Sequence, residues 1–308
     1  MTTTLFLAQL LNGVQFGILL FLMSAGLTLV FGIMSFVNLA HGSLYMLGAY
    51  AAAIVGAQTN SFALSILAAI ITGFVVGIIL ESSVVSKLYR RDHLDHVLTT
   101  FGLVLFFNEL VRTIWGPQPL FVSLPEALSG NVSIFGFNYP TYRFAIIGVG
   151  LIVAFLSQWL MNKTRMGMLI RAGSVNPELV AALGVNIDLL NAILFALGAA
   201  LAALAGAVAG PILSVQSGMG ESVLIVTLVV IVIGGIGSVN GALYASILVG
   251  IIDTLGRTSI TMLLREFTSR EVSNAAGPAL ASMLIYLFMA IVLALKPQGL
   301  FPALKDSQ

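Results

Sequence analysis

Apolar runs of membrane-spanning length follow one another along almost the whole chain, and this feature limits the possible folds more than any other. Hydrophobic residues make up 59% of the 308 residues and charged residues only 8%, whereas a soluble domain carries about 25% charged residues. The sequence therefore predicts an all-α polytopic membrane protein, since a helix satisfies its own backbone groups in lipid. No segments alternate apolar and polar residues as the strands of a membrane barrel do.

The runs predict about nine transmembrane helices, within a range of eight to ten, in one domain that covers residues 1–308. Lys and Arg collect on the cytoplasmic side of a membrane. Basic residues cluster at 87–91, at the start of Lys163–Asn186 and near the C-terminus, so these three segments are predicted to be cytoplasmic. Residues 115–141 lack Lys and Arg and are predicted to form an external loop with a small hairpin. Arg257–Ala276, which has mixed charge, is predicted to be another external loop.

A short capped helix is predicted inside the segment Lys163–Asn186. Asn176 can accept backbone N–H bonds as an N-cap, Pro177 suits the first helical position, and Gly184 supplies a left-handed stop. The helix Pro177–Leu183 would be roughly 10 Å long, which is too short to cross a hydrocarbon layer of about 30 Å. Its spacing alone leaves two interpretations open, a rigid contact for a cytoplasmic partner or an ordinary loop that contains a helix. Three of its apolar side chains would need covering: Leu179, Val180 and Leu183.

Two segments, Leu29–Tyr50 and Gly234–Asp253, combine glycines with polar residues inside apolar sequence. Irregular backbone at membrane depth occurs only where it is buried in protein or lines a watery cavity. Glycine-interrupted segments at matching places in two halves indicate a central pathway. The alternative is that Asn38 and His41 hydrogen-bond neighbouring helices, as buried polar residues in membrane bundles often do.

Ionisable residues inside the spans are predicted to pair along their own helices. Glu109 and Arg112 lie three residues apart on one helical face, and Asp253 has Arg257 one turn further on. An ionisable residue in a span is otherwise a candidate for a transport pathway, so both acids are also candidate proton sites.

Several kinds of chemistry are excluded by the composition and the motifs. The absence of cysteine excludes a thiolate nucleophile and a Cys-ligated metal, and the absence of GxxxxGK[ST] excludes ATP hydrolysis by this chain. A net charge of +1 argues against nucleic acid as a partner. His93 and His96 are predicted to be solvated loop residues, because no third metal ligand lies nearby. No cofactor or metal is predicted, and the chain is not expected to be an enzyme.

Three long stretches resemble the permeases of branched-chain amino-acid ABC importers, specifically the LivH type. They are Gly26–Tyr50, Arg165–Asn186 and Gly234–Asp253, and together with the basic loop KLYRR they run in order over most of the chain. The resemblance implies a multi-pass permease subunit of the bacterial inner membrane with a cytoplasmic C-terminus. It also implies a second homologous permease of the LivM type, two ABC ATPase subunits and a periplasmic substrate-binding protein as partners. The loop KLYRR departs from the family pattern, since many relatives carry an Arg-Pro pair there.

Carried onto this chain, the resemblance assigns coupling to the ATPases to eight residues: Arg165, Gly167, Arg171, Asn176, Pro177, Glu178, Leu183 and Gly184. Six residues of the interrupted segments are placed on the substrate pathway by inference rather than by the motif: Asn38, His41, Gly42, Gly235, Gly237 and Asn240. The expected substrate is a branched-chain amino acid. A urea or short-amide permease of the same architecture is the alternative, with aromatic acids also open, and a stand-alone secondary transporter is a third possibility. The sequence leaves open whether the permease pair is homomeric or heteromeric.

Overall fold

A computed structural model describes residues 3–34, 38–89, 91–124, 126–134 and 137–301. The described residues form eleven α-helices and one two-stranded hairpin. The helices are α1 (Thr3–Met34), α2 (His41–Thr59), α3 (Phe62–Leu80), α4 (His93–Trp115), α5 (Thr141–Lys163), α6 (Arg165–Val175), α7 (Pro177–Ala182), α8 (Ile187–Ala209), α9 (Met219–Gly234), α10 (Val239–Phe267) and α11 (Arg270–Leu295). A π-helical turn (Glu81–Val85) extends α3 into one further α-helical turn (Ser86–Leu88).

Seven of these helices are long and apolar enough to cross a membrane, judged by length and composition: α1, α3, α4, α5, α8, α10 and α11. The predicted polytopic α-helical fold is therefore confirmed. Two shorter helices, α2 with 19 residues and α9 with 16, are not among the seven. Because the total depends on how these two are counted, nine spans stays a prediction.

The chain divides into two compact units, which are described separately. Unit 1 holds the described residues of Met1–Phe21, Glu126–Ile152 and Thr227–Gln308. Unit 2 holds those of Leu22–Pro125 and Val153–Val226.

Unit 2 is built around α8, which packs against α2 and α3 along a surface of glycine and alanine. A Cβ atom added at Gly206 would lie only 1.9 Å from the Tyr45 carbonyl oxygen, and one at Gly48 would lie 2.3 Å from Ala203 Cα. Gly198 meets Gly26 of α1 in the same way. These contacts form a close-packing face on α8, because small side chains let membrane helices approach closely.

Unit 1 joins the first half of α1 to α10, which in turn packs against α11. Gly250 of α10 approaches Gly13 of α1. A Cβ atom added at Gly250 would lie 2.3 Å from the Gly13 carbonyl oxygen. The hairpin also belongs to this unit, and its strands β1 (Asn131–Ile134) and β2 (Phe137–Pro140) pair in antiparallel fashion. The predicted small hairpin in residues 115–141 is therefore confirmed.

The predicted loop at Arg257–Ala276 is wrong, because α10 continues to Phe267 and α11 begins at Arg270. Only Thr268 and Ser269 separate the two helices. The charges that suggested a loop lie on exposed helical faces, and Arg265 Nη2 donates to Asn274 Oδ1 at 2.8 Å across the turn. A helix that extends past the apolar layer can carry such charges without ending.

The packing of α8 on α2 predicts a large cost for one added methyl group. Gly206→Ala should lower the melting temperature of the purified chain by several degrees, because overpacking costs about 1–3 kcal/mol. Gly102→Ala is the matched control, since an added Cβ atom there meets nothing within 4 Å. That control should keep or raise the melting temperature, because alanine is favoured over glycine in a helix by roughly 0.5–1 kcal/mol. Equal melting temperatures for the two variants would contradict the described contact.

Candidate functional site

The segment between α5 and α8 forms a pair of short helices, which we call the elbow (residues 164–184). Thr164 begins α6, and its Oγ1 accepts a hydrogen bond from Gly167 N at 3.1 Å. Asn176 ends α6 and caps α7, with Oδ1 accepting from Leu179 N at 2.9 Å. Gly184 adopts φ +88°. The predicted caps are confirmed, although α7 ends at Ala182 rather than one residue later, and α6 was not predicted.

Two of the eight predicted coupling residues hold α6 against the end of α5. The Arg171 guanidinium donates to the carbonyl oxygen of Met161 and so ties α6 to the end of α5. Gly167 is buried, and a Cβ atom there would lie 2.2 Å from that same carbonyl oxygen. Arg171 and the remaining six are exposed on the elbow: Arg165, Asn176, Pro177, Glu178, Leu183 and Gly184. Their coupling role stays a prediction.

The elbow also presents apolar side chains on its surface. Leu179 and Leu183 are 59% and 76% exposed, and Met168 and Val175 are exposed beside them. Of the three residues predicted to need covering, only Val180 is buried by its own chain, at 4% exposure. The elbow is therefore suited to contact another surface.

A hydrophobic cluster connects the elbow to the end of α1 within unit 2. Ile170 of α6 packs with Leu190 and Leu194 of α8, and Met34 packs against these three. Tyr89 lies beside them, with its hydroxyl 3.5 Å from Met34 Sδ. We call this group the Ile170 cluster. Because Met34 is the last residue of α1, the cluster reaches the point where the first interrupted segment begins.

The hydroxyl of Tyr89 also donates to the buried Glu81 carboxylate at 2.9 Å, where the π-helical turn begins. Burial raises the pKa of Tyr89, and the negative charge of Glu81 raises it further. The hydroxyl therefore keeps its proton and remains a donor over the physiological range of pH.

The first interruption includes residues 38–40, which precede α2 and are not helical, as predicted, and Asn38 and Ala40 are buried. His41 Nε2 donates to the Met23 carbonyl oxygen of α1 at 3.2 Å, which is a helix-to-helix bond of the kind that the alternative predicts. Asn38 differs, because at 2% exposure neither atom of its amide has a hydrogen-bond partner among the described residues. Gly42 meets Gly220, whose carbonyl oxygen would lie 2.8 Å from an added Cβ atom.

The second interruption lies between Gly234 and Val239, also as predicted. Gly235 and Gly237 have φ values of +104° and +80°, which favour glycine. The amides of Leu300 and Phe301 bond to the carbonyl oxygens of Ile233 and Gly234, so a later turn of the same chain covers this break. Asn240 is exposed on α10. Of the six predicted pathway residues, three therefore lie in unit 2 and three in unit 1.

Two functional candidates, Asn108 and Glu221, were missed by the sequence analysis. Asn108 Nδ2 donates to Glu221 Oε1, and Asn108 Oδ1 accepts from Gly218 N at 3.1 Å. These contacts hold the first turn of α9 against α4 in unit 2. The available signal was that Glu221 is the only acidic residue between Asp188 and Asp253.

Both predicted ion pairs are confirmed. Arg112 Nη1 lies 3.6 Å from Glu109 Oε2 on an exposed face, and Arg257 Nε lies 2.8 Å from the buried Asp253 Oδ2. Both candidate proton sites therefore face an arginine.

The interpretation of His96 as a solvated residue was wrong. Its ring is buried, and Nε2 lies 2.8 Å from the Leu88 carbonyl oxygen. Its neighbour His93 is exposed. Within the described ranges, no three His, Cys, Asp or Glu side chains could together hold a metal ion.

A comparison with known protein families gives a match over most of the chain. The family described as "Branched-chain amino acid transport system / permease component" matches residues 9–293. The chain belongs to this family of permeases. It is accordingly a permease subunit of an ABC importer, a multi-pass protein of the inner membrane, and not an enzyme.

Individual relatives agree with the family match. The chain is 28% identical to the high-affinity branched-chain amino acid permease protein LivH of Salmonella typhimurium, over 86% of this chain and 90% of the relative. It is 29% identical to the permease protein BraD of Pseudomonas aeruginosa, over 82% and 86% of the two chains. The ribose import permease protein RbsC of Escherichia coli is 26% identical over 75% and 72%. No solved structure matches the permease.

The caps of the elbow predict which amides lose protection when a cap is removed. Asn176→Ala should cost α7 about 1 kcal/mol, so the Leu179 amide should exchange with solvent roughly fivefold faster. Asn186→Ala is the matched control, because Asn186 Oδ1 caps α8 through Leu189 N at 3.0 Å instead. Hydrogen exchange measured by mass spectrometry separates the two peptides. Unchanged exchange of residues 177–182 in Asn176→Ala would show that α7 does not depend on this cap.

Proposed function

We propose that this permease imports branched-chain amino acids with energy from ATP that partner subunits hydrolyse. The observation that carries the proposal is the elbow, whose short capped helices expose apolar and charged side chains while Ile170 is packed into the core. The substrate class comes from the relatives that are named as branched-chain amino acid permeases. These relatives align with this chain over most of their length.

The proposed assembly contains a second homologous permease of the LivM type, two ABC ATPase subunits and a periplasmic binding protein. Three features support it. The sequence lacks a nucleotide-binding motif, the exposed elbow offers a contact surface, and the basic residues Lys87, Lys163 and Lys296 mark one side of the membrane as cytoplasmic. On this topology the C-terminus is cytoplasmic and the elbow faces the ATPases.

The Ile170 cluster offers a physical route for coupling. An ATPase that moves the elbow also moves Ile170, and Met34 packs against the same cluster. Met34 ends α1, so displacement there shifts the first interruption and the start of α2. Packed cores change between discrete arrangements rather than deforming continuously, and this suits a switch between outward-open and inward-open states. Asn38, His41 and Gly42 would then line the part of the pathway that changes.

The second interruption, within unit 1, supplies further proposed pathway residues. Gly235, Gly237 and Asn240 are its proposed pathway residues, and the positive φ values of both glycines give the backbone a sharp turn there. A stand-alone secondary transporter has less support, because Glu109 and Asp253 are each already paired with an arginine.

The elbow predicts loss of coupling when its exposed apolar surface is made polar. Leu183→Ser should reduce ATP-dependent leucine uptake by the reconstituted complex at least tenfold, because docking to the ATPases loses apolar burial. Leu213→Ser, which alters an exposed leucine in the link after α8, is the control and should transport normally. Glu178→Ala tests the charged part of the same surface. If leucine uptake and coupled ATP hydrolysis survive in Leu183→Ser and Glu178→Ala, the ATPases dock elsewhere.

A substitution in the Ile170 cluster should cause a different defect. The ATPases should stay bound to the elbow, but their movement should no longer reach Met34. Ile170→Ala should leave the ATPases bound, since Ile170 is 3% exposed and lies beneath the elbow surface. Uptake should fall while ATP hydrolysis continues, because the cavity loosens the contact that moves Met34. Co-purification of the ATPases and parallel uptake and hydrolysis assays measure this. Dissociation of the ATPases, or normal uptake, would contradict the route.

A further inference from the structure

The first turns of α2 and α9 meet in unit 2. A Cβ atom at Gly220 would lie 1.9 Å from the Gly42 carbonyl oxygen, and one at Gly42 would lie 2.8 Å from the Gly220 carbonyl oxygen. No side chain could be accommodated at either position without a shift of the backbone. Each helix N-terminus carries a partial positive charge from its aligned peptide dipoles. Two such ends therefore approach each other.

The start of α2 has no side-chain cap, although backbone carbonyl oxygens accept from its first amides: His41 N bonds to Asn38 O at 3.3 Å and Ser43 N bonds to Ala40 O at 3.0 Å. Its N-cap residue, Ala40, provides no side-chain hydrogen bond. Asn38 lies one turn before Gly42, is 98% buried, and has both amide atoms without a partner among the described residues. A buried polar group without a partner costs about 1–3 kcal/mol, so such a group in a native protein calls for an explanation such as a ligand.

The start of α9 carries a carboxylate instead. Glu221 follows Gly220, and Asn108 of α4 fixes its position through Oε1. Its charge is not matched by Lys or Arg, since the two ion pairs of the described chain involve Glu109 and Asp253. A partly buried carboxylate that faces no Lys or Arg among the described residues is suited to accept a cationic group of a ligand.

We propose that these groups form a transient binding site for the charged end of a zwitterionic α-amino acid. Glu221, held by Asn108, accepts the ammonium group. The amide of Asn38, which lies just before the positive end of α2, receives the carboxylate. One fixed negative charge beside one positive helix end matches a zwitterion, and it matches neither an uncharged urea or sugar nor a simple anion. The inference rests on the proposed function and gives the permease its own substrate selectivity.

Transport by the complete complex gives the first test. Glu221→Gln keeps an acceptor for Asn108 and removes only the charge, and Asn38→Leu keeps the approximate volume and removes only the amide. Each should lower ATP-dependent leucine uptake at least tenfold, while hydrolysis stimulated by the loaded binding protein stays within twofold of wild type. The matched controls, Glu109→Gln and Asn191→Leu, should transport within twofold of wild type. Normal uptake in Glu221→Gln overturns the inference, whereas absence of ATP-dependent uptake in the wild type overturns the proposed function itself.

Direct binding to the full-length chain in lipid nanodiscs separates recognition from a structural role. Three probes share one side chain: leucine, 4-methylpentanoate, which lacks the ammonium group, and 3-methylbutylamine, which lacks the carboxylate. Glu221→Gln should bind 3-methylbutylamine at least tenfold more weakly and 4-methylpentanoate as tightly as wild type. Asn38→Leu should bind 4-methylpentanoate at least tenfold more weakly and 3-methylbutylamine as tightly as wild type. A purely structural role would weaken both probes equally in both variants. That result, or absence of leucine binding to the wild-type chain, overturns the inference.

Discussion

Close backbone contact at glycine and alanine is the interaction on which unit 2 depends. Tyr45 of α2 approaches Gly206 of α8, and the small residues of α8 let neighbouring helices bury residues 41–50 of α2. Lipid offers no hydrogen bonds, so a helix can begin at membrane depth only where protein encloses it. The tight packing of α8 thus permits the interrupted segment before α2 to exist.

That enclosure also explains why polar residues can collect there. Asn38, His41, Asn108 and Glu221 belong to one unit, and three of them have hydrogen bonds that fix their position: His41, Asn108 and Glu221. The fixed groups shape the site and Asn38 is left to respond to its surroundings. On the proposed function, selectivity and movement therefore concern the same short stretch of chain, between the end of α1 and the first turn of α2.

Features set by local physics could be predicted from the sequence. The caps at Asn176 and Gly184, the pair Asp253–Arg257 and the hairpin each depend on residues within one turn or one loop, and the structure contains them. Apolar length likewise predicted the main spans. Charge was a poorer guide to helix ends, because Arg265 and its charged neighbours lie on helices that continue past the apolar run.

Features set by distant contacts could not be predicted. The hydrogen bond between Asn108 and Glu221 joins residues 113 positions apart, and the meeting of Gly42 with Gly220 is equally remote in sequence. Nothing in the spacing of either pair marks them as neighbours. The burial of His96 has the same cause, since the carbonyl oxygen that it contacts belongs to the preceding helix. Such contacts follow from how the helices pack. The spacing of nearby residues in a single sequence does not show this packing.

On the proposed function, movement delivered to the elbow repositions the start of α2. The chain has no cysteine, so Ser43→Cys would place a single thiol in the buried first turn of α2. Labelling of that thiol by a small water-soluble reagent, in the full complex with and without bound ATP, measures the movement directly. The labelling rate should change at least tenfold with ATP in the complex and should not change in the isolated chain. Equal labelling rates in both nucleotide states of an actively transporting complex would contradict it.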